Sequence, residues 1–300
     1  MTKVTGLRPF YMMKLYSSQT INDIKTRHDF RFAKSLGQNF LTDRNIIEKI
    51  VEGSGIGPSD FVIEIGPGIG VLTKEILDIG AKVTAVEIDS RLIPILQETL
   101  SGYDKFNVIN QDIMKTDLNG IAEANKDYAN IRIIGNLPYY ITTPIIMKIL
   151  EDRVPAASVT CMMQKEVADR IKAPAGSKNA GAISLAVQYY CDVTQIARAP
   201  KEAFVPSPKV DSAVLRFDVL EKPRVEVPDT KVLFDCIRKG FGQRRKTISN
   251  SLVGAGGTAK EDIKKVLEET GIEGSRRAET LSLEEFAAIS SAISEGGFNG

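Results

Sequence analysis

DFVIEIGPGIG, residues 60–70, is an apolar run that breaks into three glycines at alternate positions. Five residues rich in branched side chains, ending at a turn signal, read as a buried strand. The next segment, GVLTKEILDIG (70–80), has helical spacing and closes on Gly80. Strand, glycine turn and helix in that order bring the backbone close to a bound nucleoside, because glycine tolerates the dihedrals the turn needs. The spacing is G-x-G-x-G rather than G-x-G-x-x-G, so alone it is a weak sign.

The same alternation continues outward. RNIIEKIVEGSG reads as a helix before the glycine strand. AKVTAVEID is a second strand, SRLIPILQETL a helix with Ser90 as its expected cap, and NVINQD a third strand. IRIIGN, TPIIMKIL, SVTCMMQ and KEVADRI give a fourth strand, a helix, a fifth strand and a helix. Repeated β-α units imply an α/β fold, a parallel sheet with helices on both faces. After residue 173 the pattern changes. APAGSKNAGA is a loop, ISLAVQYYCDVTQIARAP a helix running into a strand, and SAVLRFDV a late strand. A charged, proline-rich link, EKPRVEVPD, places a domain boundary near 222. Short helices follow: TKVLFDCIRKGF, RRKTISNSLV, KEDIKKVLEET and LSLEEFAAISSAI. Residues 1–30 read as an N-terminal extension, 31–222 as the main domain and 223–300 as a small helical domain. Three hundred residues exceed the usual size of a single core, which agrees with two domains.

Composition excludes several classes. No apolar run is long enough to span a membrane, and the N-terminus lacks an apolar core and a small-residue cleavage site, which argues against a secretory signal. It has no acid before Asp23, which leaves an organelle transit peptide as an alternative. Cys161, Cys191 and Cys236 form no zinc pattern, and three is odd for a disulfide framework, so a reducing cytoplasm is the expected home. The one histidine, His28, precedes the domain, so neither a His triad nor a multi-His metal site is expected. Charge is uneven. Residues 1–50 carry nine Lys and Arg against four Asp and Glu, 51–150 eight against thirteen, and 201–250 eleven against seven. Two basic segments flanking an acidic middle suit either a polyanion-binding face or plain solvated surface.

Glu87 ends the strand after the glycine turn and is placed to accept both hydroxyls of a ribose. Asp112 ends the third strand, within reach of an adenine amine. Each could equally be a helix cap, but glycines and acids at the carboxyl ends of successive strands form an ordered nucleoside set. A dinucleotide and S-adenosylmethionine both fit it. The fourth strand discriminates, because it ends in Asn136-Leu137-Pro138-Tyr139. An exocyclic base amine is a poor nucleophile, its lone pair delocalised into the ring. The Asn136 side-chain oxygen and the Leu137 carbonyl can hold its N–H bonds and aim the lone pair, while Pro138 fixes the backbone. Tyr139 offers a face to an extruded base. The structural alternative is an ordinary turn with a packing tyrosine.

This Asn-Leu-Pro-Tyr segment resembles the motif of methyltransferases acting on adenine N6 or cytosine N4. KSLGQNFL (34–41), EIGPGIGVLT (64–73), GNLPYYITTPI (135–145), MMQKEVADRI (162–171), FVPSPKVDSAVLRF (204–217), FGQRRKT (241–247) and RAETLSLEEF (277–286) resemble, in order, the bacterial small-subunit rRNA adenine dimethyltransferase family. The resemblance runs from about 21 to 293. It implies a Rossmann-like class I S-adenosylmethionine-dependent methyltransferase with a mainly seven-stranded sheet and a C-terminal all-α RNA-recognition domain. It further implies dimethylation at N6 of two adjacent adenosines in the loop of the hairpin near the 3′ end of 16S rRNA. The matching motifs carry S-adenosyl-L-methionine contacts onto Asn39, Leu41, Gly66, Glu87, Asp112 and Asn136, with Gln38 beside them. Phe204 would face the target base opposite Tyr139, its alternative being a core phenylalanine. Lys34, Arg238, Lys239, Arg244, Arg245 and Lys246 are expected to touch RNA phosphates, against the alternative of a solvated helix face. The expected partner is 16S rRNA in a 30S assembly intermediate, bound by a monomer without metal or membrane. Tyr140 departs from the family pattern, since relatives often carry Asn there. Two rivals remain in view. One is a large-subunit methyltransferase giving macrolide resistance, which tends to have Ile in place of Leu137 and Asn-Ser in place of Asp211-Ser212. The other is a non-catalytic assembly factor on the same fold.

Overall fold

The computed structural model describes residues 14–33, 36–243 and 245–296. α1 (Ser18–Arg27) leads to a short strand β1 (Phe40–Leu41) and to α2 (Arg44–Ser54), whose first N–H groups are capped by Asp43. The alternation then runs β2 (Phe61–Ile65), α3 (Val71–Ile79), β3 (Lys82–Glu87), α4 (Ile93–Thr99), β4 (Phe106–Asn110), α5 (Leu118–Glu123), β5 (Ile131–Asn136), α6 (Thr142–Glu151), β6 (Ser158–Gln164) and α7 (Lys165–Lys172). After α8 (Ala182–Tyr190) come β7 (Cys191–Ala199), β8 (Phe204–Val205) and β9 (Ser212–Val219). The chain ends in α9 (Thr230–Gly242), α10 (Ile248–Ser251), α11 (Lys260–Glu269) and α12 (Leu283–Glu295).

Seven strands form one sheet in the order β4-β3-β2-β5-β6-β9-β7, and β1 pairs with β8 apart from it. The β2·β3, β3·β4, β2·β5 and β5·β6 pairs are parallel, while β9 runs antiparallel to β6. From β2 the chain builds outward to β3 and β4, then returns to lay β5 on the other side of β2. That reversal leaves a crevice beyond the carboxyl ends of β2 and β5, where open α/β sheets bind ligands. All five residues of β2 are buried, as a central parallel strand covered on both faces requires. At the opposite end of the sheet, Asp60 takes hydrogen bonds from Asn130 and Gly57 and pairs with Arg132 of β5 at 2.6 Å. Burial pushes the Asp60 carboxyl up, but these donors outweigh it and hold it below its ordinary range. The ion pair thus locks β2 to β5 from the end remote from the crevice.

The chain forms two compact units. One ends at Lys165 and resumes over Thr194–Val219; the other comprises Glu166–Val193 and the chain from Leu220 onward. This differs from a single boundary near 222. α8 joins the C-terminal helices because Leu185 and Tyr189 are buried in one apolar cluster with Leu233 and Ile237 of α9 and Phe286 of α12. Three local expectations are corrected. Asp89, not Ser90, caps the turn before α4, its carboxylate taking the Arg91 N–H. Among the described residues of RRKTISNSLV only Ile248–Ser251 is helical, because Thr247 is extended at φ −69°, ψ 157° and starts the helix there. β4 ends at Asn110, so Asp112 lies just past the strand.

Candidate active site

The crevice is lined by the loop Leu36–Leu41, the turn after β2, the ends of β3 and β4, and the segment from Asn136 to Ile145. Gly66 and Gly68 stand at φ +68° and +61°, in the left-handed region, and a Cβ on Gly68 would meet the Phe40 ring at 3.1 Å. The glycines therefore serve both the turn and the close approach of the loop that carries Phe40.

Glu87 closes β3 with only 5% of its surface exposed. Burial pushes its carboxyl up to about 7, although main-chain N–H groups of Asp89 and Gly68 favour the charged form. The Asp89 bond measures 2.8 Å. A ribose diol adds two donors to a carboxylate that has lost its water, so this position suits an adenosyl group. Asp112 spends one oxygen on the Met114 N–H at 2.9 Å, as the cap it could have been, and still lines the crevice. Gln38 accepts from the Ala33 N–H and donates to Asp89 Oδ2 at 2.7 Å, which pins the 36–41 loop to the turn after Glu87.

Glu64 was not among the expected site residues. It lines the crevice from the middle of β2, is fully buried, and its Oε2 has no hydrogen-bond partner among the described residues. Burial raises its carboxyl to about 7, and the nearby Glu87 charge adds to the rise. The sequence signal was an acid inside an otherwise apolar strand. Both carboxyls are raised, so the ligand-free fold is favoured at low pH and loses that stability as pH climbs from the ordinary range near 4.5 through about 7. Thermal unfolding of the ligand-free protein is expected to give a lower Tm at pH 8 than at pH 6, and Glu64→Gln to narrow the gap. An equal gap in wild type and variant would contradict the assignment.

The turn after β5 presents its residues alternately. Asn136, Pro138 and Tyr140 line the crevice, while Leu137 and Tyr139 do not. Asn136 donates through Nδ2 to the Asn39 carbonyl at 2.9 Å. That bond sets the amide so that Oδ1 is the atom left to accept. Leu137 is buried and donates its N–H to the Met162 carbonyl. The Pro138 carbonyl accepts from the Ile141 N–H and the Thr142 hydroxyl, which turns the chain into α6. Tyr139 is half-buried, its hydroxyl 2.7 Å from Ser212 Oγ of β9. Burial, against the easing effect of the Ser212 bond, holds its phenol above the usual range, so it stays neutral.

Asn39, Leu41, Gly66, Glu87, Asp112 and Asn136 are thus brought together on one crevice. Phe204 is not. It faces Leu41 across the β1·β8 pair, is 3% exposed and belongs to the apolar core with Phe40 and Val214. This burial is what its packing alternative expects. Of the expected RNA contacts, Arg245 and Lys246 are exposed with no ion-pair partner among the described residues. Arg238 pairs with Asp235 at 2.9 Å, and Lys239 caps the Gly254 carbonyl at 2.8 Å. Lys34 and Arg244 lie outside the described residues. Among those residues no helix is long and apolar enough to cross a membrane, and no cluster of His, Cys, Asp or Glu could hold a metal.

A crevice suited to an adenosyl group, with an amide oxygen beside it ready to accept from an amine, assigns the chain to the S-adenosylmethionine-dependent methyltransferases. Comparison with known proteins narrows the class. The model of the ribosomal RNA adenine dimethylase family matches residues 29–290, and the chain belongs to that family. It is 51% identical over 276 residues to ribosomal RNA small subunit methyltransferase A of Shouchella clausii, covering 91% of this chain and 93% of that one. Among solved structures, a dimethyladenosine transferase from Plasmodium falciparum aligns with a TM-score of 0.73 at 26% identity, over 86% of this chain and 98% of that one. The 23S rRNA methyltransferase ErmE aligns with a TM-score of 0.64, also at 26% identity, over 85% and 100%.

Proposed function

We propose that this chain dimethylates N6 of two adjacent adenosines in the loop of the hairpin near the 3′ end of 16S rRNA. It acts as a cytoplasmic monomer on a 30S assembly intermediate. The observation that supports this is the bond from the Asn136 amide nitrogen to the Asn39 carbonyl, which leaves the amide oxygen as the atom available to an incoming amine.

Bound in the crevice, S-adenosylmethionine supplies an electrophilic methyl on a sulfonium whose leaving group is neutral. The chain's own part is alignment and exclusion of water. Glu87 holds the ribose, Asp112 the adenine end, and the 36–41 loop, clamped by Gln38 to Asp89, closes one side. Asn136 Oδ1 and the Leu137 carbonyl take the two N–H bonds of the adenine amine and direct its lone pair at the methyl. An alkylated arylamine would give its proton to water, so no strong base is needed among the chain's own residues. After one transfer a single N–H remains and one acceptor loses its partner. Tyr139, steadied by Ser212, offers its ring to the extruded base.

The small subunit is favoured over the large by the 51% identity to a small-subunit enzyme against 26% to ErmE. Leu137 and Asp211-Ser212 side with the same branch. Wild-type protein with labelled cofactor is expected to label unmethylated small subunits and leave large subunits unlabelled; the reverse would overturn the proposal. Arg245 and Lys246 are proposed to touch phosphates. Replacing both with Glu should weaken particle binding at low salt and flatten the salt dependence by roughly one unit of slope per lost contact. An unchanged slope in a binding titration would return them to ordinary surface.

A further inference from the structure

Tyr140 is the residue that neither the fold nor the proposed chemistry uses. It is 63% exposed, an unusual state for a large aromatic side chain. Among the described residues its ring stacks on no other aromatic and its hydroxyl has no hydrogen-bond partner. The main chain that carries it is nonetheless fixed. Tyr140 follows Tyr139 in the turn that the Pro138 carbonyl locks through Ile141 and Thr142. Its Cδ1 lies 3.9 Å from where a Cβ on Gly37 would stand, so the ring borders the 36–41 loop at the rim of the crevice. Gly37, at φ +62°, leaves that approach open.

An exposed ring at the mouth of a nucleotide site, one residue from the ring proposed to take the extruded base, supplies a second stacking face. We propose that Tyr140 stacks the nucleobase next to the adenosine being methylated, so that Tyr139 and Tyr140 hold two successive bases. This rests on the RNA-methylating function proposed above and names how that site engages its second adenosine. Successive aromatic side chains bind successive single-stranded bases in this way without reading their sequence. The cofactor's own adenine is the competing occupant. Its end of the crevice is already bounded by the buried Ile113 and Ile145, whereas Tyr140 stands on the outer rim.

The test compares wild type with Tyr140→Ala, Tyr140→Leu and Tyr140→Phe. KM and kcat are measured on unmethylated small subunits, methyl groups are counted at each target adenosine, and the Kd for S-adenosylmethionine is measured without RNA. The Ala and Leu variants are expected to raise KM for particles about tenfold and to leave one adenosine of the pair under-methylated. Any change in their cofactor Kd should be smaller than the change in KM, and the Phe variant, which keeps the ring face, should match wild type. Leu preserves bulk without a π face, so a shared loss in Ala and Leu with rescue by Phe separates stacking from packing. Normal KM and full methylation in the Ala and Leu variants would overturn the inference, as would a loss confined to cofactor Kd. Wild-type protein that fails to methylate small subunits would instead remove the functional proposal, and the inference with it.

Discussion

Replacing Asn136 with Ala is expected to lower kcat for methyl transfer about 100-fold, while the Kd for S-adenosylmethionine should change far less. The Asn136 oxygen is assigned to the reacting amine, so its loss is felt when the lone pair must be localised and aimed. The lost Nδ2 bond to the Asn39 carbonyl loosens the 36–41 loop and accounts for a smaller effect on cofactor affinity. Gln38 still ties that loop to Asp89, which limits this second effect. Steady-state kinetics on unmethylated small subunits, with cofactor binding measured separately, distinguishes the two. Near-normal kcat in the variant would show that the amine is aligned by other groups.

Glu87→Ala is expected to weaken S-adenosylmethionine binding by about 10- to 100-fold, the scale of charge-assisted hydrogen bonds to one carboxylate. The effect carries a pH signature. In the free protein the Glu87 carboxyl titrates near 7, raised by burial, and two ribose hydroxyls donate best to its charged form. Below about 7 a proton must leave before the cofactor is held, so wild-type affinity falls as pH drops from 8 to 6. Glu87→Gln has no such proton, and its affinity should vary less over that range. Calorimetry at several pH values reads both the Kd and the proton released. A pH-independent wild-type Kd would place the ribose elsewhere.

Much of this site was legible in the chain because its parts are local. β2, its glycine turn and α3 occupy one continuous segment, and Glu87 falls at the next strand's end by the same alternation. Asn136 could be placed because a proline two residues later stops β5. Other features depend on partners distant in sequence. Phe204 was open to either a base-facing or a core role, and its pairing with Leu41 lies on a two-residue strand too short to show alternation. The clamp from Gln38 to Asp89 joins residues 51 positions apart. α8 reads as an ordinary apolar helix, and nothing in its periodicity says that it packs with α9 rather than with the sheet. Glu64 shows the converse case: its place was visible, but the lack of a hydrogen-bond partner at its Oε2 emerges only when the strands on both sides of β2 are in position.

The central claim is that the crevice at β2 and β5 serves an adenine amine of 16S rRNA. The most direct measurement is mass-spectrometric mapping of methyl groups after wild-type protein and S-adenosylmethionine act on unmethylated small subunits. Two adjacent N6,N6-dimethyladenosines in the hairpin loop near the 3′ end of 16S rRNA are predicted. Methyl groups on another base, or only in large-subunit RNA, would contradict it.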